Sequence, residues 1–214
     1  MKRQPPYPCL VNISFYSTYN LMPKTKKIIY KAQYSELTLD TNTSVTKKCL
    51  AKSFPKDYLR KYFFLSRAHR EYRGAIYLNS IGLSTPKPIS AKITLSPFSK
   101  TESFYSMSFL NDHKLATNYI TPDNEAYLLK LIAKQFSTMI QNNICIKDFG
   151  LHNIMISNDN KIVWIDTAIR KFYTKKSLLR YMNKELRYFN KRHEKQVSKY
   201  GLYNFNQLIE KATK

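Results

Sequence analysis

The pattern of β-branched and aromatic residues from Ile28 to Leu39 reads as a strand, the polar run Asp40 to Ser44 as a turn, and Val45 to Phe54 as a returning strand. This predicts a hairpin. A helical stretch through Arg67, Glu71 and Leu78 follows, with Gly82 placed where a left-handed cap would end it. Pro86 and Pro88 force extended chain, and strand-like segments recur near Ser90 to Leu95 and Phe104 to Leu110. The first half thus predicts a small antiparallel sheet with one helix. Thr121-Pro122-Asp123 reads as a helix start, with a capping hydroxyl, a proline at the first position and an acid in the first turn. Leu128, Leu129, Ile132, Phe136, Met139 and Ile140 then fall at three-and-four spacing and predict one buried face. A short strand and loop over Ile144 to Asn153 come next. A second hairpin follows, with strands Ile154 to Ile156 and Lys161 to Ile165 turning at Ser157 to Asn160. The tail from Ser177 to Lys195 reads as a helix with Leu178, Met182, Leu186 and Phe189 on one side and cations around the rest.

Composition sharpens this picture. Hydrophobic residues make up 43% of the 214 positions, with 17 Tyr and 12 Phe, so the chain has the material for a packed core. A formal charge of +22 points to a polyanionic partner: nucleic acid, an anionic membrane surface or a highly phosphorylated substrate. Cys9, Cys49 and Cys145 are widely spaced and form no paired motif, which predicts a reducing, cytoplasmic setting with neither a disulfide framework nor a zinc site. The basic start is followed by Pro5, Pro6 and Pro8, so no cleaved signal is expected, and no apolar run is long enough to span a membrane. Glycine is confined to positions 74, 82, 150 and 201.

The segment Ile146-Lys147-Asp148-Phe149-Gly150-Leu151-His152-Asn153 carries the chemistry, together with Val163-Trp164-Ile165-Asp166. An Asp and an Asn five apart, a hairpin, and an Asp at the end of its second strand match the spacing of a kinase catalytic loop and its metal-binding aspartate. Phosphoryl transfer needs a carboxylate to accept or orient the proton of the attacking hydroxyl, which suits Asp148. It also needs separate oxygen ligands for magnesium, which suits Asn153 and Asp166. Upstream, Cys49-Leu50-Ala51-Lys52 ends a strand much as the V-A-I-K pattern does, and Glu71 lies on the next helix where it could pair with Lys52. Glu71 could also pair along its own helix with Arg67 or Arg70.

In that order of residues the sequence resembles the protein-kinase-like superfamily. In particular it resembles the bacterial lipopolysaccharide core kinases that phosphorylate Kdo or heptose. The narrower resemblance rests on Arg70-Glu71-Tyr72-Arg73 leading to Leu78-Asn79-Ser80-Ile81-Gly82-Leu83-Ser84-Thr85-Pro86-Lys87-Pro88. A second echo is Phe104 to Leu110 with Asn111, similar to the strand and hinge that contact the nucleotide base. The resemblance implies an α+β, two-lobed kinase-like fold with an irregular extension over 1–25, an N-terminal lobe over 26–110 and a reduced helical lobe over 111–214. It implies ATP and Mg²⁺ as cofactors. Lys52 and Glu71 would sit at the phosphates, Leu110 at the base, Asp148 as base, and Asn153 and Asp166 on the metal. The acceptor would be an anionic glycolipid, reached from the cytoplasmic face of an anionic membrane.

Three features depart from that pattern. Ile146-Lys147-Asp148 replaces His-Arg-Asp or His-Gly-Asp, Asp166-Thr167-Ala168 replaces Asp-Phe-Gly, and the loop Thr38 to Thr46 contains no glycine to bring backbone amides to the phosphates. A compact atypical protein kinase, a pseudokinase scaffold and a basic nucleic-acid-binding protein stay open as alternatives. The last has no recognisable RNA-binding or helix-turn-helix motif to support it.

Overall fold

The computed structural model describes residues 27–50, 66–93 and 102–213. The expected extension at residues 1–25 and the candidate Lys52 lie outside them. Five antiparallel strands form the first layer: β1 (Lys27–Ala32), β2 (Ser35–Thr41), β3 (Ser44–Leu50), β4 (Pro88–Ile93) and β5 (Glu102–Ser108), in the order β1-β2-β3-β5-β4. What the sequence pattern presents as one strand from Ile28 to Leu39 is two, because the chain reverses at Gln33 and Tyr34 and pairs Ala32 with Ser35. No Asn-Gly or Asp-Gly marks that turn. The second reversal, between Thr41 and Ser44, falls where it was expected.

Helix α1 (Arg67–Ser80) connects β3 to β4 and packs on the sheet. Ser66 caps it by accepting the His69 N–H, and Gly82 at φ 81° lets the chain leave it. Its buried positions Ala68, Glu71, Ala75 and Leu78 follow helical spacing, so a carboxylate occupies a place on the apolar stripe. Among the described residues, Val45, Ala68, Ala75, Tyr105 and Met107 form the buried core under the sheet.

The second half is mainly helical. After β6 (His113–Leu115) and the short α2 (Ala116–Tyr119) come α3 (Glu125–Gln141), β7 (Ile144–Ile146), β8 (Ile154–Ser157), β9 (Ile162–Trp164) and β10 (Ile169–Lys171). Helices α4 (Lys175–His193) and α5 (Lys199–Thr213) close the chain. Strands β6, β8 and β9 form one small sheet, and β7 pairs with β10. Helix α3 begins at Glu125 rather than at Pro122. Asn124 spends its side chain on the Thr121 N–H and the Tyr119 carbonyl, which builds a separate turn ahead of the helix. Glu125 then accepts both the N–H and the hydroxyl of Ser198, at 2.8 and 2.5 Å, which ties the start of α3 to the start of α5. The core between these helices is large and aromatic: Phe149 lies 4.4 Å from Phe136, 5.0 Å from Phe189 and 5.8 Å from Trp164, centroid to centroid. Among the described residues no helix is long and apolar enough to cross a membrane.

Candidate active site

Alternation along β3 turns Val45 and Cys49 into the core and places Lys47 between them on the same face. Lys47 Nζ donates to Glu71 Oε2 at 2.7 Å and lies 3.8 Å from Asp166 Oδ2. Arg67, one turn before Glu71, donates from Nε to Glu71 Oε1 at 2.9 Å and from Nη2 to Asp166 Oδ2 at 3.3 Å. Two cations and two carboxylates therefore form a closed quartet. Glu71 is fully buried and both of its oxygens are engaged. Burial pushes the Glu71 carboxyl up, and Lys47 opposes that shift. For Lys47, burial alone would depress the ammonium, but the Glu71 and Asp166 carboxylates outweigh it and hold the charged form.

Close packing fixes α1 against the segment that carries Asp166. Thr167, fully buried, donates its hydroxyl to the Glu71 carbonyl at 2.6 Å. Gly74 faces the Thr167 carbonyl so closely that a Cβ there would collide with it. The same segment reaches the loop that carries Asp148, because the Lys147 N–H donates to the Ala168 carbonyl at 2.8 Å.

In that loop Asp148 takes a left-handed backbone, φ 57°, which Asp tolerates better than most residues. Phe149 plunges into the aromatic core, and Leu151–Asn153 form one turn of 3₁₀ helix. Asn153 is the knot. Its Nδ2 donates to the Asp148 carbonyl at 2.8 Å, and its own carbonyl accepts the Ile165 N–H at 3.1 Å, one residue from Asp166. Asp148, Asn153 and Asp166 are thus joined through the backbone. The Asp148 carboxylate is half exposed, with Arg192 Nη1 2.8 Å from Oδ1 and His152 Nε2 3.5 Å from Oδ2. Hydrogen bonding from His152 and Arg192 holds it well below the usual carboxylate range, against the opposing effect of burial. Behind the loop, His193 Nε2 accepts the Leu151 N–H at 3.1 Å.

Glu71 and Asp166 therefore share one cluster, and Asn153 connects it to Asp148. The expected pairing of Lys52 with Glu71 falls outside the described residues; among those described, Lys47 and Arg67 engage the two oxygens of Glu71. Leu110 lies just beyond β5, partly buried. Sequence reasoning missed Lys47, Arg67 and Arg192 as site residues. The period-two alignment of Lys47 with Val45 and Cys49 was the available signal for the first; the four-residue spacing of Arg67 from Glu71 was the signal for the second. Nothing local marks Arg192, which reaches Asp148 across 44 residues.

Among the described residues no group of three or more His, Cys, Asp or Glu could hold a metal. Magnesium fits such a site, because it is commonly bound by one or two protein oxygens together with substrate phosphates. Asn153, with its amide nitrogen spent on Asp148, offers its Oδ1, and Asp166 offers a carboxylate.

No family model and no curated protein matches the sequence. Solved structures resemble the fold, WaaP and WbdD among them. The chain is similar to WaaP, solved in complex with acyl carrier protein, at 13% identity and a TM-score of 0.48, over 88% of this chain and 89% of that one. It is similar to WbdD at 12% identity and a TM-score of 0.48, over 84% of this chain and 43% of that one.

Proposed function

We propose that this chain is a magnesium-dependent phosphotransferase that moves the γ-phosphoryl group of ATP to a hydroxyl of an inner-core lipopolysaccharide sugar, Kdo or heptose. The observation that carries the reading is the buried pair of a β3 lysine, Lys47, with the helix carboxylate Glu71, set directly beside Asp166. A strand lysine paired with a helix glutamate, next to a metal-binding aspartate, is the working arrangement of protein kinases. Lys47 takes the phosphate-holding role expected of Lys52, and Glu71 orients it. Asn153 and Asp166 hold the magnesium, which when bound neutralises charge on the phosphates. Leu110, where the chain leaves β5, contacts the base. Asp148 orients the acceptor hydroxyl and takes its proton as the new oxygen–phosphorus bond forms and ADP leaves. Its depressed pKa keeps it ionised at neutral pH and makes it a weak base, so the proton moves late. The anionic character of the acceptor rests on the +22 charge and on Arg192, which stands at the carboxylate the acceptor must approach. The exposed cations Lys184, Arg187 and Lys191 of α4 would face an anionic membrane surface.

A second reading, a pseudokinase scaffold, is favoured by one observation: Asp148 and Asp166 are each already ion-paired. Thermal unfolding with and without Mg²⁺ and ATP separates the two. A ligand at 100 times its dissociation constant adds about 2.7 kcal/mol of stability. A magnesium-dependent rise that disappears in Asp166→Ala is the expected outcome; no rise at millimolar ATP would defeat the enzyme reading. With a glycolipid acceptor, Asp148→Asn should lower turnover by about 10² to 10⁴-fold while leaving nucleotide binding in place.

A further inference from the structure

Among the described residues there is no glycine-rich loop to grip a triphosphate. No glycine occurs between residues 27 and 50, and both hairpin turns there, Gln33–Tyr34 and Asn42–Thr43, are tight and made of residues with full side chains. Backbone amides cannot approach phosphates there as a glycine-rich loop allows. Lys47 alone would face Glu71 and Asp166, leaving the floor of the site with a net negative charge before any phosphate arrives. Arg67 corrects that balance. It bridges the two carboxylates from the first turn of α1, and its side chain is 30% exposed.

We infer that Arg67 is a second nucleotide-phosphate cation, poised on Asp166 in the free protein and handed to the triphosphate when magnesium takes that carboxylate. This rests on the phosphotransferase reading above and adds a ligand to it. Two of its five N–H donors are committed to Glu71 and Asp166. The Nε bond to Glu71 does not involve Asp166, so it can persist while the Nη2 donor is released. Glu71 would then steer two cations at once, Lys47 through one oxygen and Arg67 through the other. A planar guanidinium offers paired donors to phosphate oxygens, which a lysine at the same place would not.

The test is binding, which needs no acceptor. Affinities of the wild type, Arg67→Lys and Arg67→Gln for Mg²⁺-ATP are measured by calorimetry, and for adenosine by displacement. Arg67→Gln should weaken Mg²⁺-ATP at least tenfold and leave adenosine within twofold, with Arg67→Lys in between. Unchanged Mg²⁺-ATP affinity in Arg67→Gln would overturn the inference and leave the phosphotransferase reading standing. Tighter binding would overturn it too, making Arg67 an obstructing latch. Equal losses for ATP and adenosine would reduce the residue to a structural support of α1. A wild type that binds no Mg²⁺-ATP would remove both readings together.

Discussion

Around Phe149 the chain is held by rings: Phe136, Phe189, Trp164 and Phe205 surround a side chain that is 1% exposed. Around Glu71 it is held by charge, with Lys47, Arg67 and Asp166 meeting beside a sheet core of five buried residues. The first region positions Asp148 and Asn153, the second the cations Lys47 and Arg67 proposed to meet the phosphates. Apolar contact carries no titratable group and depends on filled volume. An ion-paired cluster depends on every partner being present, because one member removed strands another in a low-dielectric setting. The loop that would orient the acceptor is thus built to stay still, and the quartet is built to be repartnered.

That contrast can be broken from either side. Phe149→Ala should cost about 3 to 5 kcal/mol of stability, read by urea denaturation, because a large cavity opens under the loop. Glu71→Gln should come next, at about 3 kcal/mol, since Lys47 and Arg67 are left to share Asp166. Mg²⁺-ATP binding should fall with it. Gly74→Ala should cost about 1 to 3 kcal/mol, as α1 backs away from the Thr167 carbonyl. Arg192→Ala should cost less than about 1 kcal/mol, because the pair with Asp148 is well exposed. The pH dependence of that last loss has a definite sign. Asp148 is depressed in the folded state, so its contribution is complete above the unfolded carboxyl value of about 4 and fades as pH falls through the folded one. Wild type and Arg192→Ala should therefore converge in stability below about pH 4, followed by chemical denaturation at several pH values.

The parts of the site legible in the sequence are those built locally. Asp148, Asn153 and Asp166 lie within one loop and one hairpin, so their spacing carried their arrangement, and the β8–β9 turn was marked by Ser157, Asp159 and Asn160. The lysine that pairs with Glu71 is less legible. Lys47, Lys48 and Lys52 lie close together in the sequence, and the four-residue pattern ending at Lys52 points to the last of them. The face of β3 that meets α1 is set by pairing with β2 on one side and β5 on the other, contacts that no local window contains. The same reasoning covers β6 and β10, whose three residues each carry no periodicity and exist because β8 and β7 offer them an edge. The turn at Gln33 and Tyr34 was hidden because neither residue belongs to the usual reversing types.

The hydroxyl of Thr167 on the Glu71 carbonyl, together with the bare backbone of Gly74 against Thr167, has a mechanical consequence. A helix riding directly on the main chain next to Asp166 has no soft side chain between them to absorb displacement. Swinging α1 outward drags Asp166 with it, so opening and closing become one coordinate shared by Glu71 and Asp166 rather than two independent ones. A partner that pushed on the far end of α1, near Ser80, would then move Asp166 as well.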